Sequence, residues 1–101
     1  MEERLAALAA KFQQLTEQMA DPALASDYTR YAGVAKERSD LIPVVETWAE
    51  LQKARAELAD ASAMASGNDP EMAEMGQAEM KPLQDRIEVL TARARELLLP
   101  K

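Results

Sequence analysis

Acidic side chains are the most numerous groups in this sequence that could do chemistry. The chain holds 18 Asp and Glu residues against 12 Lys and Arg residues. Asp40, Glu46 and Glu50 lie close in sequence, and carboxylate oxygens are the ligands that Mg²⁺ and Ca²⁺ prefer. The sequence has no histidine, so the Glu-x-x-His pattern of metal-binding helical bundles is absent. We therefore interpret these carboxylates as a solvated helix face and expect no metal site.

The lack of histidine and cysteine removes the side chains on which many reaction centres depend. Histidine is the commonest general base, and cysteine thiolates bind zinc. The nearest enzyme by size and class is an all-helical chorismate mutase, whose site needs several inward-pointing cations to hold a dianion. Here Lys and Arg fall mostly between the apolar positions. We expect no catalytic residue, no cofactor and no enzymatic activity.

The charge balance favours a protein partner over nucleic acid. The net charge is −6, and a surface of this sign repels phosphate. Two small basic groups are exceptions. The first consists of Arg86, Arg93 and Arg95, and the second consists of Lys53 and Arg55. They are typical of ion pairs along helix surfaces, with contact to RNA or to an acidic protein as the alternative. We expect no direct nucleic-acid site.

Three methionines surround a turn-forming stretch, and flexible thioethers suit adaptable binding surfaces. They are Met64, Met72 and Met75. The alternative is that they fill a loosely packed end of the molecule. We predict that exposed faces within residues 66–75 contact a partner. The predicted contact residues are Ser66, Gly67, Asn68, Asp69, Glu71, Met72 and Met75.

The stretch of residues 41–65 organises the helices around it. Its apolar residues recur at gaps of three and four, which is typical of an amphipathic helix. Several are seven apart, the repeat of a helix that packs lengthwise along other helices. They are Val44, Leu51, Leu58 and Ala65 in one row, and Leu41 and Trp48 in another. The ring of Trp48 can fill the space between layers.

A first helix is predicted over residues 1–20. Its apolar residues also follow gaps of three and four. They are Leu5, Leu8, Phe12, Leu15 and Met19. The Asp21-Pro22 step ends this helix, because proline lacks an amide hydrogen and disfavours helix in the preceding residue.

Residues 23–27 are predicted to form a short connector to a second helix over residues 28–65. Ser26 or Asp27 can cap that helix by accepting a hydrogen bond from an unpaired amide. Pro43 either kinks the helix or separates it into two. The positions of the apolar residues favour one kinked helix, because these residues continue to recur every seven positions across the proline. The residues that keep this spacing are Val34, Leu41 and Trp48.

A Gly-Asn-Asp-Pro run is the clearest turn signal in the chain. Gly67 can end a helix in the left-handed conformation, and Pro70 suits the first turn of the next. Asn68 or Asp69 can cap that next helix. A third helix over residues 70–98 therefore runs back antiparallel to the second. Its apolar rows are Leu83, Leu90 and Leu97, and Met80, Ile87 and Ala94.

These elements predict an all-α fold: an elongated antiparallel helical hairpin with an N-terminal helix, in a coiled-coil-like three-helix bundle. The chain is long enough for a single thin helical domain, which is predicted over residues 1–101. The predicted packing residues are Phe12, Leu15, Leu41, Trp48, Leu51, Leu58, Leu83, Ile87 and Leu90. An alternative is a standalone coiled-coil adaptor that dimerises through its leucine rows. A severed domain could also self-associate through apolar surface that its neighbours normally cover.

No targeting or membrane signal is evident in the sequence. The N-terminus lacks the basic and apolar blocks of a signal peptide. No apolar run approaches the length of about 20 residues that spans a bilayer. We expect a soluble, cytoplasmic chain with no membrane partner. The apolar ending at residues 97–101 is typical of a chain cut at a domain boundary.

Two motifs resemble the first domain of the bacterial peptide chain release factor 1 family. One is DPEMAEM at residues 69–75, and the other is the LLLPK ending at residues 97–101. Further segments agree in order with that family over essentially the whole chain. They are the leucine-rich first helix with its Asp21-Pro22 step, the YAGVAKERSDL run at residues 31–41, and Pro43-Val44-Val45.

In that family the whole factor enters a terminating ribosome, reads UAA or UAG, and promotes hydrolysis of peptidyl-tRNA. The resemblance assigns these activities to later domains with Pro-x-Thr and Gly-Gly-Gln motifs, and neither motif occurs here. What it implies for these residues is a helical arm that reaches toward the stalk base of the large ribosomal subunit. The arm is also linked to the GTPase release factor. The expected role is therefore partner contact in translation termination, without catalysis.

Overall fold

The computed structural model describes residues 1–100 and consists of four α-helices. In chain order they are α1 (Glu2–Met19), α2 (Pro22–Ala25), α3 (Tyr28–Ala65) and α4 (Pro70–Leu97). No β-strand occurs in this part of the chain, so the predicted all-α class is confirmed. None of the helices in residues 1–100 is long and apolar enough to cross a membrane. Lys101, the last residue of the LLLPK motif, lies outside the described residues.

The first helix has nearly its predicted extent, and its apolar residues face the interior. Leu5 and Leu15 are buried. The others are half-buried, namely Leu8, Phe12 and Met19. Glu2 and Glu3 occupy the first turn, where the helix dipole favours negative charge.

The segment after α1 is helical, so the predicted connector is wrong in part. Pro22–Ala25 forms one helical turn. The Asp21 side chain accepts a hydrogen bond from the Ala23 N–H at 3.0 Å, and the fixed φ of proline suits a first helical position. Leu24, within this turn, is buried. A single turn is too short to show a periodicity in the sequence, which is why the pattern did not indicate it.

The central helix α3 runs for 38 residues through Pro43, so the prediction of one helix across the proline is confirmed. Pro43 lacks the amide hydrogen that would bond one turn back, but it is exposed, whereas Val44 beside it is buried. Packing of this region therefore holds the helix together despite the missing bond. At 1.5 Å per residue, α3 is about 57 Å long, which is most of the 62 Å length of the molecule.

Asp27 caps the start of α3, and Ser26 does not. The Asp27 carboxylate accepts a hydrogen bond from the Arg30 N–H at 3.2 Å. The Ser26 hydroxyl instead donates to the Ala23 carbonyl at 3.0 Å. One of the two predicted caps is thus confirmed.

The reversal from α3 to α4 uses negative φ angles. Ser66 follows α3 with φ −93° and ψ 0°, and no glycine among the described residues has a positive φ. The prediction of a left-handed Gly67 is therefore wrong. The Gly67 N–H donates to the Met64 carbonyl at 3.1 Å, so a tightened last turn satisfies a carbonyl at the helix end.

The core consists of two clusters along α3. In the first, α1, α3 and α4 meet through Leu5, Val44 and Ala94. The second lies between α3 and α4 and is formed by Leu51, Ala54 and Leu90. Trp48 packs against both clusters. The expected role of this ring between layers is therefore confirmed.

Small residues let α3 and α4 approach closely near the turn. A buried row on α3, spaced by seven, consists of Thr47, Ala54 and Ala61, and the last of them lies about one turn before the helix ends. On α4, a Cβ built on Gly76 would lie 2.5 Å from the Ala61 carbonyl oxygen and 2.7 Å from the Ala65 nitrogen. The two backbones therefore leave no room for a side chain at this position. The sequence pattern identified neither this row nor Gly76 as a place of close contact between helices.

None of the predicted packing residues is exposed, although they differ in depth. Leu15, Leu51 and Leu90 are buried. The others are half-buried, namely Phe12, Leu41, Trp48, Leu58, Leu83 and Ile87. Partial burial is expected because the molecule is only 17 Å across in its thinnest dimension. The leucine rows are thus used within the chain, which disfavours an adaptor that dimerises through them.

Candidate functional site: the hairpin tip and the acidic groove

The seven residues predicted to contact a partner come together where α3 turns into α4. We term this end, residues 66–75, the hairpin tip. All seven residues are exposed, including Met72 at 43% and Met75 at 55%. The start of α1 pairs with α3 through Glu2 and Arg55, roughly three turns before α3 ends. The hairpin tip therefore projects beyond the part of the molecule that α1 supports.

Asp69 has a structural role within the hairpin tip. Its Oδ1 accepts hydrogen bonds from the Glu71 N–H at 3.0 Å and the Met72 N–H at 3.4 Å. Of the two residues predicted to cap α4, Asp69 therefore does so and Asn68 does not. Pro70 occupies the first turn of the helix and Glu71 follows, where the dipole favours a carboxylate.

Replacing Asp69 with alanine should lower the free energy of unfolding by about 1 kcal/mol, because two amides at the start of α4 lose their acceptor. Asn68→Ala is the matched control. Asn68 is exposed beside the cap, so its replacement should change stability by less than about 0.5 kcal/mol. Urea titrations followed by circular dichroism would measure both values. Equal effects of the two substitutions would contradict the capping role.

The three methionines near the turn differ in environment. Met64 is half-buried on α3, whereas Met72 and Met75 are exposed. Side chains that face solvent do not fill a packing defect, so the filler interpretation fits Met64 alone. Exposed, unbranched thioethers can adapt to the surface of a partner.

A groove lies between α3 and α4 on the flank of the hairpin. Its volume is about 510 Å³, and its apolar lining consists of Ala61, Met64, Ala78, Pro82 and Leu83. Three carboxylates also line it, from Glu57, Asp60 and Glu79. We term this feature the acidic groove. It was not predicted, because its lining comes from two helices, and the only local signal was the spacing of three between Glu57 and Asp60.

Comparison with known proteins identifies the family of this hairpin. The PCRF domain family matches residues 8–101. The chain belongs to the PCRF domain family. Peptide chain release factor 1 of Solidesulfovibrio magneticus is 39% identical to it over 98 residues. The same factor is 36% identical in Acidobacterium capsulatum over 101 residues and 36% identical in Bacillus anthracis over 102 residues.

The PCRF domain is a small part of these relatives. The three alignments cover 97%, 100% and 100% of this chain, but only 28%, 28% and 29% of the relatives. No solved structure matches the chain significantly. The resemblance to the first domain of release factor 1 is confirmed, and this PCRF domain is a non-catalytic part of such factors.

The carboxylates considered as metal ligands do not converge in this PCRF domain. Asp40 accepts a hydrogen bond from Lys36 at 3.1 Å, and Glu50 lies 3.7 Å from Arg86. Glu46 is exposed. Residues 1–100 contain no group of three metal-ligating side chains that could hold an ion. This arrangement is the one expected of a solvated helix face.

Most of the basic residues singled out in the sequence form ion pairs on the domain surface. Lys53 lies 4.0 Å from Glu57, and Arg55 pairs with a carboxylate of α1. The ion-pair interpretation is therefore confirmed for these two and for Arg86. Arg93 and Arg95 are exposed on α4. Exposed pairs of this kind contribute about 0–1 kcal/mol each.

The pKa of Lys81 is shifted in the direction opposite to that of a catalytic lysine. A hydrogen bond of 2.6 Å to Asp85, together with the charge of that carboxylate, raises the pKa of Lys81 above its ordinary value of 10.5. A lysine that acts as a base or nucleophile needs a lowered pKa. The ammonium group of Lys81 therefore stays protonated, and its role is an ion pair with Asp85 on the helix surface.

Proposed function

We propose that this domain is the interaction arm of a class I peptide chain release factor that directs translation termination at UAA and UAG codons. In this proposal, residues 1–101 act as one domain in the cytoplasm. The domain contacts proteins at the stalk base of the large ribosomal subunit and the GTPase release factor. It takes no part in peptidyl-tRNA hydrolysis.

The exposed hairpin tip is the observation that carries this proposal. The tip projects from a molecule 62 Å long, so it can present a contact surface at a distance from the rest of a factor. Met72 and Met75 offer apolar surface there, at 43% and 55% exposure. The net charge of −6 disfavours contact with the phosphates of ribosomal RNA. Protein partners therefore fit this end of the domain better than RNA.

The substitution Met72→Glu should weaken binding of the chain to bacterial 70S ribosomes roughly tenfold, because a carboxylate would be desolvated in an apolar contact. The chain would carry a fluorophore and be titrated with ribosomes stalled at a UAA codon. The same titration with the purified GTPase release factor would test the second partner.

Val89→Glu is the control for this experiment. Val89 also lies on α4 and is 60% exposed, but it is far from the hairpin tip. Its replacement changes the net charge equally and should leave binding within about twofold of the unchanged chain. Equal weakening by both substitutions would contradict a contact through the tip. Failure of the unchanged chain to bind either probe would contradict the proposed partners.

A further inference from the structure

We propose that the acidic groove is a second docking surface, and that its occupant is a short basic amphipathic helix of another protein. This inference goes beyond the role proposed for the hairpin tip. The groove lies on the flank of the hairpin, and its lining shares no residue with the seven predicted contact residues of the tip. The proposal therefore does not depend on the translation role.

The groove faces away from α1. Arg55 pairs with Glu2 of α1, whereas Glu57 lines the groove. Two residues correspond to about 200° around a helix, so these two side chains leave α3 on nearly opposite sides. Asp60 and Met64 continue the groove side. A helix bound there can pack against α3 and α4 without displacing α1.

The size of the groove suits a short helix. From Glu57 to Met64 its α3 wall covers about 10 Å, or about two helical turns. Two smaller hollows adjoin it, one sharing Glu57 and the other sharing Ala78. Small residues in the lining leave space for apolar anchors between the larger side chains. Helices that bind in grooves use such anchors at positions i, i+3 or i+4, and i+7.

The charges around the groove select the chemistry of its occupant. Within residues 1–100, no Lys or Arg lies within 4.0 Å of the carboxylates of Asp60 or Glu79. The adjoining hollow near the tip adds Glu74, whereas the hollow that shares Glu57 contains Lys53 and Arg86, whose charges are paired with Glu57 and Glu50. An apolar floor with a negative rim is complementary to apolar side chains flanked by Lys or Arg. The same rim repels the phosphates of nucleic acids.

A designed peptide provides the test. The probe is an acetylated, amidated peptide of about 14 residues, long enough for partial helix formation. It carries Leu at positions i, i+3 and i+7 and Lys on both flanks. Titration into the ¹⁵N-labelled chain should shift the backbone amide signals of Ala61, Met64, Ala78 and Leu83. A peptide with Gln in place of every Leu should produce none of these shifts.

A matched pair of charge reversals locates the site. Glu79→Lys should weaken peptide binding roughly tenfold, since like charges would meet at the rim. Glu88→Lys makes the same change at an exposed position of the same helix, outside the groove. Its effect should stay within about twofold. Neither substitution alters the hairpin tip, so the result is independent of the ribosome titration.

Four outcomes would overturn the proposal. The first is equal weakening by both charge reversals, which would show a response to net charge alone. The second is shifts confined to residues outside the groove, and the third is binding of the glutamine peptide at the groove. The fourth is concentration-dependent shifts of the groove residues without any peptide, which would show that a second copy of the chain is the occupant.

Discussion

Replacing Leu51 with alanine is expected to lower the free energy of unfolding by about 3–4 kcal/mol. Leu51 is fully buried, at 0% exposure, in the cluster that joins α3 to α4. Truncation removes its apolar contacts and leaves a cavity, because close-packed helices relax only in part. Domains of this size have a net stability of about 5–15 kcal/mol. The substitution should therefore remove a large share of it.

Leu99→Ala is the matched control for this prediction. It makes the same chemical change at a residue that is 65% exposed, so stability should change by less than about 0.5 kcal/mol. Urea titrations of the three proteins, read by circular dichroism and by Trp48 fluorescence, would give the free energies. A loss below about 1 kcal/mol for Leu51→Ala would contradict its place in the core.

The second large effect is expected at Gly76, where alanine should lower the free energy of unfolding by about 1–2 kcal/mol. The added methyl group would meet backbone atoms of α3 at 2.5 Å and 2.7 Å, and backbone cannot move aside as a flexible side chain can. Overpacking of this kind costs about 1–3 kcal/mol. It outweighs the gain of about 1 kcal/mol that alanine has over glycine in a helix.

Gly33→Ala separates the two contributions. Gly33 is exposed within α3, and a Cβ built there meets no heavy atom within 4 Å. Alanine should therefore raise stability there by up to about 1 kcal/mol through helix propensity alone. The same urea titrations would show opposite signs for the two substitutions. A stabilising Gly76→Ala would mean that α3 and α4 do not approach as closely as the structure shows.

The course of α3 shows how far periodicity can predict this fold. The spacing of seven across Pro43 indicated one helix, and the helix extends from Tyr28 to Ala65. Pattern succeeds here because a long packed helix repeats the same contact many times. It fails for the turn at Pro22–Ala25, which repeats nothing. The left-handed conformation predicted for Gly67 is also wrong, because glycine can adopt a positive φ but does not require one.

The two candidate surfaces differ in how visible they were in the sequence. The hairpin tip is continuous in the chain, so its turn residues and exposed methionines could be identified from local signals. The acidic groove joins Glu57 and Asp60 to Glu79, which lies 19 residues beyond Asp60. Its existence depends on how far α4 is shifted along α3. At the observed shift Gly76 lies against the backbone of Ala61, and no local pattern revealed that contact.

The amino-acid sequence by itself determined the helical class, the turn at the hairpin tip, and an acidic surface without the usual catalytic side chains. These properties follow from local preferences and from charge, which act wherever the chain goes. Tertiary structure decided the register of α4 on α3 and therefore the groove between them. It also decided that Gly76 touches backbone while Gly33 faces open space. Gly33 and Gly76 have the same intrinsic preference for helix and differ in the atoms that surround them. Those atoms are brought there by the packing of the assembled helices.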